Sequence, residues 1–161
     1  MRVIAGEFKG RRLEAPGWEG LRPTSDKLRE TLFNVLALRV SGARVVDGFA
    51  GTGALGIEAL SRGAARATFI ERDPRALRLI KGNLERCAVP AERYVIIRGD
   101  FVALTRAERD RTRADLVLLD PPYDLKSLEE AIAAAGGLLD VGGLVVVEHA
   151  RRRESPAAAG G

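Results

Sequence analysis

Cysteine and histidine are almost absent from this sequence, which contains one of each, Cys87 and His149. A single cysteine cannot form a disulfide within the chain, and these two residues cannot supply the four ligands of a structural zinc site. We therefore predict no metal centre. We expect Cys87 to pack as a small apolar side chain and not to act as a nucleophile.

Long apolar segments are also missing. No apolar run approaches the ~20 residues that a membrane-spanning helix requires, and the opening MRVIAGEFKGRR has no signal-peptide core. We therefore expect a cytoplasmic protein without membrane contact. The 161 residues, 46% hydrophobic and 30% charged, fit one globular domain at 1–150 with a disordered tail at 151–161.

Acidic residues are outnumbered, because 26 Lys and Arg residues against 22 Asp and Glu residues give a formal net charge of +4. This excess permits a polyanionic partner, since arginine pairs well with phosphate. Solvated helix faces in an arginine-rich protein would explain the charge equally well. Lys9, Arg11 and Arg12 cluster near the start of the chain and are the candidates for phosphate contacts.

Short apolar strands alternate with helical segments along most of the chain. We predict strands at 45–47, 67–71, 94–98, 114–119 and 144–148, and helices at 54–62, 74–87 and 126–135. Such alternation predicts an α/β fold with a mostly parallel sheet.

Two elements precede the first strand. Residues 1–21 are predicted to form a hairpin outside the main sheet, and residues 22–39 a lead-in helix. The helix has an apolar stripe that is expected to face the core, formed by Leu28, Leu32, Val35 and Leu36. Arg29 lies outside this stripe, so we expect it to face a ligand or solvent.

The segment RVVDGFAGTGALGIEALSRG, residues 44–63, is a strand, a glycine-rich turn and a helix. This arrangement forms a ligand cradle at the carboxyl end of a parallel strand. Its Gly51 and Gly53 belong to a literal G-x-G-x-x-G pattern, the fingerprint of dinucleotide-binding loops, with an acid 20 residues later at Glu71. The pattern alone leaves open which ligand the loop binds.

Asp47 argues against a dinucleotide. It ends the strand four residues before Gly51, where its carboxylate would repel a pyrophosphate. A carboxylate there suits a ligand with an amino group and no phosphate, such as S-adenosylmethionine. The loop therefore favours the methyl donor over a nicotinamide cofactor.

Four acids end successive predicted strands, namely Asp47, Glu71, Asp100 and Asp120. The carboxyl ends of parallel strands are where open sheets bind ligands. Each acid alone is typical of a helix cap or turn, but four in series indicate a site. Glu71 could accept both ribose hydroxyls, Asp100 the adenine amino group and Asp47 the methionine end. Counted with this cofactor site are the neighbouring residues Phe49, Gly51, Gly53, Arg72 and Phe101.

The tetrad DPPY, residues 120–123, is the candidate acceptor site. Its two prolines remove N–H groups, so Asp120 and the Pro121 carbonyl present hydrogen-bond acceptors to an exocyclic amino group. Tyr123 offers an aromatic face on which a planar base could stack. Asp120, Pro121 and Tyr123 are therefore the predicted catalytic residues.

Taken together, these motifs resemble class I S-adenosylmethionine-dependent methyltransferases that act on nucleobase amino groups. More narrowly, the chain resembles the RsmD family of bacterial 16S rRNA guanine-N2 methyltransferases. The pieces that match are MRVIAGEFKGRRL, RPTSDKLRETLFNVL, FAGTGALGIEALSRGA, LLDPPY and VVVEH. This resemblance implies a Rossmann-like fold, S-adenosyl-L-methionine as cofactor, and small-subunit rRNA or an assembling 30S subunit as partner. It leaves the oligomeric state open, with a monomer expected.

Two departures from the family accompany the resemblance. Gly48 stands where the family usually has an apolar residue, which is expected to loosen the loop slightly. The family also continues past its VVVEH strand into two further strands, whereas this sequence ends in RRRESPAAAGG. We therefore expect truncated C-terminal strands and an exposed apolar edge at the fifth strand.

Three alternatives remain at this point. A methyltransferase for another amino group, adenine N6 or a protein glutamine, is disfavoured because such families tend to have asparagine where Asp120 stands. A nicotinamide oxidoreductase is disfavoured by Asp47. A degenerate, non-catalytic RNA-binding relative would keep the fold and lose the chemistry.

Overall fold

The computed structural model describes residues 1–19, 24–107, 112–122 and 127–148. Within these residues a five-stranded parallel sheet has the order β3-β2-β1-β4-β5. The strands are β1 Arg44–Asp47, β2 Arg66–Glu71, β3 Tyr94–Arg98, β4 Ala114–Leu119 and β5 Leu139–Val147. The helices are α1 Asp26–Val35, α2 Ala37–Val40, α3 Ala54–Ser61, α4 Pro74–Arg86, α5 Phe101–Ala107 and α6 Leu128–Gly136, with a 3₁₀ turn at Ala91–Arg93. The predicted α/β fold is confirmed.

The core is divided between the two faces of the sheet. Alternate residues of β4 point to opposite faces: Leu116 and Leu118 join one buried cluster, and Val117 and Leu119 the other. Helices cover both faces, which explains why the central strands are continuous apolar runs. Cys87 is fully buried in the first cluster, so its predicted role as a small packing residue is confirmed.

Strand β5 departs from its prediction in length. It begins at Leu139, five residues before the predicted start, and its register against β4 shifts between the Ala114–Leu139 and Leu116–Leu144 pairs. Gly142 has a left-handed backbone with φ of 81° at this irregularity. Among the described residues β5 pairs with β4 alone, so it is an edge strand, as predicted. The predicted tail at 151–161 lies outside the described residues.

The N-terminal segment is a minimal hairpin that lies outside the sheet, as predicted, with a single antiparallel bridge between Arg2 and Arg12. Its apolar side chains Val3, Phe8 and Leu13 are buried against the helices. Beyond the hairpin the chain runs antiparallel to α4, from Arg11 beside Arg86 to Trp18 beside Arg75. This segment therefore extends from the amino edge of the sheet to its carboxyl edge.

The predicted apolar stripe of α1 is wrong in part. Leu36 is buried, but Leu28 is 43% exposed and Val35 is 80% exposed. Leu32 is partly buried against the core, as predicted, and Arg29 and Phe33, which lie outside the predicted stripe, are fully buried. Arg29 Nη2 donates to the Arg2 carbonyl at 2.6 Å, which joins this face of α1 to the N-terminal segment, and to Asp26 Oδ1 of the same helix at 2.7 Å. A buried, hydrogen-bonded arginine thus occupies a core-facing position of α1, where a hydrophobicity pattern predicts leucine.

Helix α5 is an element that the sequence reasoning did not anticipate. It begins directly after Asp100, whose carboxylate accepts from the Ala103 amide at 3.0 Å. In the part of the chain that the structure describes, no helix is long and apolar enough to cross a membrane.

Candidate functional site

A cavity of about 720 Å³ opens at the carboxyl edge of the sheet. It is lined by eight of the predicted site residues, Phe49, Gly51, Glu71, Arg72, Asp100, Phe101, Asp120 and Pro121. Asp47 and Gly53 do not line the cavity. Tyr123 lies outside the described residues. Over the described ranges, no group of His, Cys, Asp and Glu side chains could hold a metal ion.

Glu71 organises the turn around the glycine loop. Its Oε2 accepts from the Gly51 amide at 2.9 Å, and its Oε1 accepts from the amides of Arg72 and Asp73 at 2.8 and 2.9 Å. Gly51 adopts a left-handed backbone with φ of 53°, which brings its amide to this carboxylate. A carboxylate has about four acceptor sites, and three are used here, so Glu71 keeps one site, on Oε2, for a ligand hydroxyl.

Asp47 forms a hydrogen bond to the first turn of α3. Its Oδ2 accepts from the Gly56 amide at 2.9 Å, and its Oδ1 has no hydrogen-bond partner among the described residues. Burial raises the pKa of Asp47 to about 7, with the charges of Asp120 and Glu71 acting in the same direction and the Gly56 hydrogen bond opposing them.

Two of the first three amides of α3 are already satisfied by the protein. Gly56 donates to Asp47, and Ala54 donates to the Thr52 hydroxyl at 3.3 Å. Dinucleotide-binding loops instead keep such amides for a pyrophosphate. The geometry supports a ligand without phosphate at this loop.

An aromatic wall lies between the loop and α5. The rings of Phe49 and Phe101 are tilted by 47° with centroids 5.3 Å apart. Phe101 is buried and Asp100 is exposed beside it. A planar heterocycle could lie against this wall with its amino group at the Asp100 carboxylate.

The expected loosening at Gly48 is wrong. A Cβ at this position would lie 2.5 Å from Leu119 Cδ2 and 2.8 Å from Phe101 Cε2. Neighbouring side chains thus fill the space that a larger residue would occupy, and the loop is closely packed here.

The acceptor end of the cavity contains two residues that sequence reasoning did not assign to the site, Thr24 and Glu148. The Thr24 hydroxyl donates to Asp120 Oδ2 at 2.6 Å and lies 3.4 Å from Glu148 Oε2. Burial raises the pKa of Asp120, and the Thr24 hydrogen bond opposes that rise. Burial, followed by the charge of Asp120, raises the pKa of Glu148. A sequence signal for both residues was present, because they lie in RPTSDK and VVVEH, two of the pieces that resemble the family.

Trp18 and Arg75 form the opposite rim. The Arg75 guanidinium lies 4.9 Å from the centroid of the Trp18 ring and pairs with Asp73 at 2.7 Å. Both residues line the cavity. The sequence offered no signal for this contact, which depends on how the N-terminal segment runs along α4.

Asn83 is a further residue whose role was not predicted from the sequence. It is fully buried, and its Nδ2 donates to the Thr52 carbonyl at 2.9 Å and to the Glu14 carbonyl at 3.2 Å. Its Oδ1 accepts from the Glu14 amide at 2.7 Å. One side chain of α4 thus joins the glycine loop to the N-terminal segment.

Lys9, Arg11 and Arg12 lie far from the cavity. Arg11 Nη1 donates to the carbonyl of Arg86, the last residue of α4, and the Glu7 amide donates to Ser61, the last residue of α3. Both helices end at the amino edge of the sheet. The predicted phosphate contacts of these residues stay a prediction, and their position points away from RNA that would reach the cavity.

Comparison with known proteins places this geometry in a family. The family model described as Conserved hypothetical protein 95 matches residues 1–161. The chain is 38% identical over 162 residues to YlbH of Bacillus subtilis, covering 99% of this chain and 88% of that protein. It is 39% identical over 133 residues to the ribosomal RNA small subunit methyltransferase D of Haemophilus influenzae, covering 83% of this chain and 69% of that protein.

A solved structure agrees with these matches. The Escherichia coli protein yhhF has a TM-score of 0.84 and 38% identity, with 98% of this chain and 84% of that chain covered. Because the match extends through the cavity and the sheet, the chain belongs to the RsmD-type family of rRNA methyltransferases, within the class I S-adenosylmethionine-dependent methyltransferases.

Proposed function

We propose that this protein transfers a methyl group from S-adenosyl-L-methionine to the exocyclic N2 amino group of a guanine in small-subunit rRNA. The observation that supports it best is the placement of Asp120 and Pro121 on the same cavity as the loop of Gly51 and Glu71. The similarity to the Haemophilus influenzae small subunit methyltransferase D supports the rRNA substrate.

The cavity fits the cofactor chemically. Glu71 has one acceptor site left on Oε2 for a ribose hydroxyl, and the wall of Phe49 and Phe101 with Asp100 suits an adenine ring and its amino group. Asp47, with an unpartnered oxygen among the described residues, would attract the ammonium group through the loop. Bound S-adenosylmethionine would supply an electrophilic methyl group. These contacts would fix its position for in-line attack.

Asp120 and the Pro121 carbonyl would accept hydrogen bonds from the guanine amino group and stabilise the positive charge that develops on its nitrogen. The nitrogen lone pair forms the new N–C bond while the S–C bond breaks, and that electron pair remains on sulfur. The surplus proton of the amine passes to Asp120 or to water. Tyr123, the third residue of the proposed catalytic set, would stack on the flipped base.

A carboxylate at Asp120 favours guanine over adenine for a further reason. Guanine presents the N1–H and N2–H donors side by side, so a carboxylate can accept from both. Adenine presents its N6 donors beside the N1 acceptor, which would repel the second carboxylate oxygen.

The partner follows from the substrate. We infer that the enzyme acts on naked small-subunit rRNA or on an assembling 30S subunit, as a monomer in the cytoplasm where ribosomes assemble.

The test is radiolabelled methyl transfer onto undermethylated 30S particles and onto naked 16S rRNA, followed by nucleoside analysis. We expect N2-methylguanosine as the labelled product. The control is Asp120→Ala, which should lose roughly 100-fold or more in turnover while calorimetry shows retained cofactor affinity. Labelled N6-methyladenosine would contradict the guanine assignment. Cofactor binding without transfer to either RNA would instead support the non-catalytic alternative.

A further inference from the structure

Two segments distant in sequence meet at Asp120. Thr24 immediately precedes Ser25, the N-cap of α1, and only 8% of Thr24 is exposed. Glu148 follows β5, and its amide donates to the Leu119 carbonyl at 2.8 Å, which places it beside the end of β4. The Thr24 hydroxyl therefore lies between two carboxylates.

The Thr24 hydroxyl can donate one hydrogen bond, and the two oxygen–oxygen distances show which carboxylate accepts it. Oγ1 is 2.6 Å from Asp120 Oδ2 but 3.4 Å from Glu148 Oε2, so the strong hydrogen bond goes to Asp120. Asp120 and Glu148 are both partly buried, and two neighbouring carboxylates that are partly removed from water resist simultaneous ionisation. A hydrogen bond that stabilises one carboxylate therefore selects which of the two is charged.

We propose that Thr24 is a positioning residue for methyl transfer: its hydroxyl holds Asp120 Oδ2 in place, so that the ionised carboxylate presents Oδ1 to the amino group of the substrate. Glu148 is then the carboxylate that retains a proton when only one of the pair is charged. This inference rests on the proposed function, because it assigns Thr24 a role through Asp120.

The first test compares Thr24→Val, which has nearly the same shape but no hydroxyl, with Thr24→Ser, which keeps the hydroxyl. A hydrogen bond to a charged group is worth about 10- to 100-fold. We expect Thr24→Val to lose that factor in the single-turnover rate with unchanged cofactor affinity. Thr24→Ser should return to within about threefold of the parent rate.

The pH dependence of the rate separates positioning from a purely structural role. Among the described residues, the acids that interact with the charge of Asp120 are Asp47 at the end of β1 and Glu148 at the end of β5. Both remain in Thr24→Val. Because the Thr24 hydrogen bond lowers the pKa of Asp120, its loss should move the acidic limb of the rate profile to higher pH. Thr24→Ser should move the limb back.

A double-mutant cycle completes the test. In an Asp120→Ala background, Thr24→Val should cause no further loss of rate, because the group that it positions is gone. A parent-like rate and pH profile in Thr24→Val would overturn the inference, and so would additive losses in the cycle. If the parent protein methylates no RNA, the proposed function fails first, and that outcome is visible before any Thr24 variant is measured.

Discussion

At the scale of single residues, Asp47 has both a structural role and a proposed functional role. Its buried carboxylate holds the Gly56 amide at the start of α3, and burial raises its pKa to about 7. An unfolded aspartate has a pKa near 3.8. The native protein therefore binds one more proton than the unfolded chain between these values, and stability from this residue falls as pH rises through this window.

We predict that Asp47→Asn removes this part of the pH dependence. The asparagine side chain would keep an oxygen for the Gly56 amide without a charge to desolvate. Lowering the pH from 8 to 5 should therefore stabilise the parent protein by about 1–3 kcal/mol more than the variant. Urea denaturation at both pH values measures the difference.

Using the difference between two proteins cancels titrating groups that do not interact with Asp47, such as Glu148, whose pKa is also raised by burial. Equal pH dependence in the parent and in Asp47→Asn would contradict a raised pKa at Asp47. The variant should also bind S-adenosylmethionine more weakly, because the attraction to its ammonium group is lost.

At the scale of elements, the strands were predictable because each apolar run ends at an acid or a glycine. The face of α1 was not predictable, because a hydrophobicity pattern cannot foresee that Arg29 finds the Arg2 carbonyl and is buried. The roles of Thr24 and Glu148 were not predicted for a related reason. Their roles depend on contacts at Asp120 between segments about a hundred residues apart, and these contacts exist only in the folded protein.

Asn83 shows how one element is attached to another. It is the side chain through which α4 holds both the Thr52 carbonyl of the glycine loop and the backbone of Glu14. Helix packing alone would leave the buried Thr52 carbonyl and the partly buried backbone groups of Glu14 without these partners. The loop therefore depends on α4 for its position.

We predict that Asn83→Ala destabilises the protein by about 1–3 kcal/mol, because buried polar groups lose their partners. The freed loop should also bind S-adenosylmethionine about three- to tenfold more weakly, up to about 1.4 kcal/mol. The matched control is Glu85→Ala on the same helix, where an exposed side chain pairs loosely with Lys81 at 4.0 Å. Thermal unfolding and calorimetry should show almost no effect for the control. An Asn83→Ala protein with parent-like cofactor affinity would show that the loop holds its shape without α4.

At the scale of the whole molecule, the two edges of the sheet have different roles. The carboxyl edge holds the cavity, and the amino edge holds the hairpin packed at the ends of α3 and α4. The N-terminal segment connects them along α4. An RNA whose target base enters the cavity would first meet the carboxyl edge, including the start of α1.

This division gives a last prediction about two exposed lysines, Lys27 in the first turn of α1 and Lys9 in the hairpin. Lys27 lies three residues after Thr24, whose hydroxyl contacts Asp120, whereas Lys9 lies at the opposite edge. Each neutralised phosphate contributes roughly 0.7–0.9 to the slope of log affinity against log salt. For a short rRNA hairpin that contains the target guanine, Lys27→Ala should lower the slope by about that amount, and Lys9→Ala should leave it unchanged. Binding titrations from low to moderate salt measure both slopes with the same side chain removed in each variant. An unchanged slope for Lys27→Ala with a reduced slope for Lys9→Ala would place the RNA on the hairpin and contradict approach from the carboxyl edge.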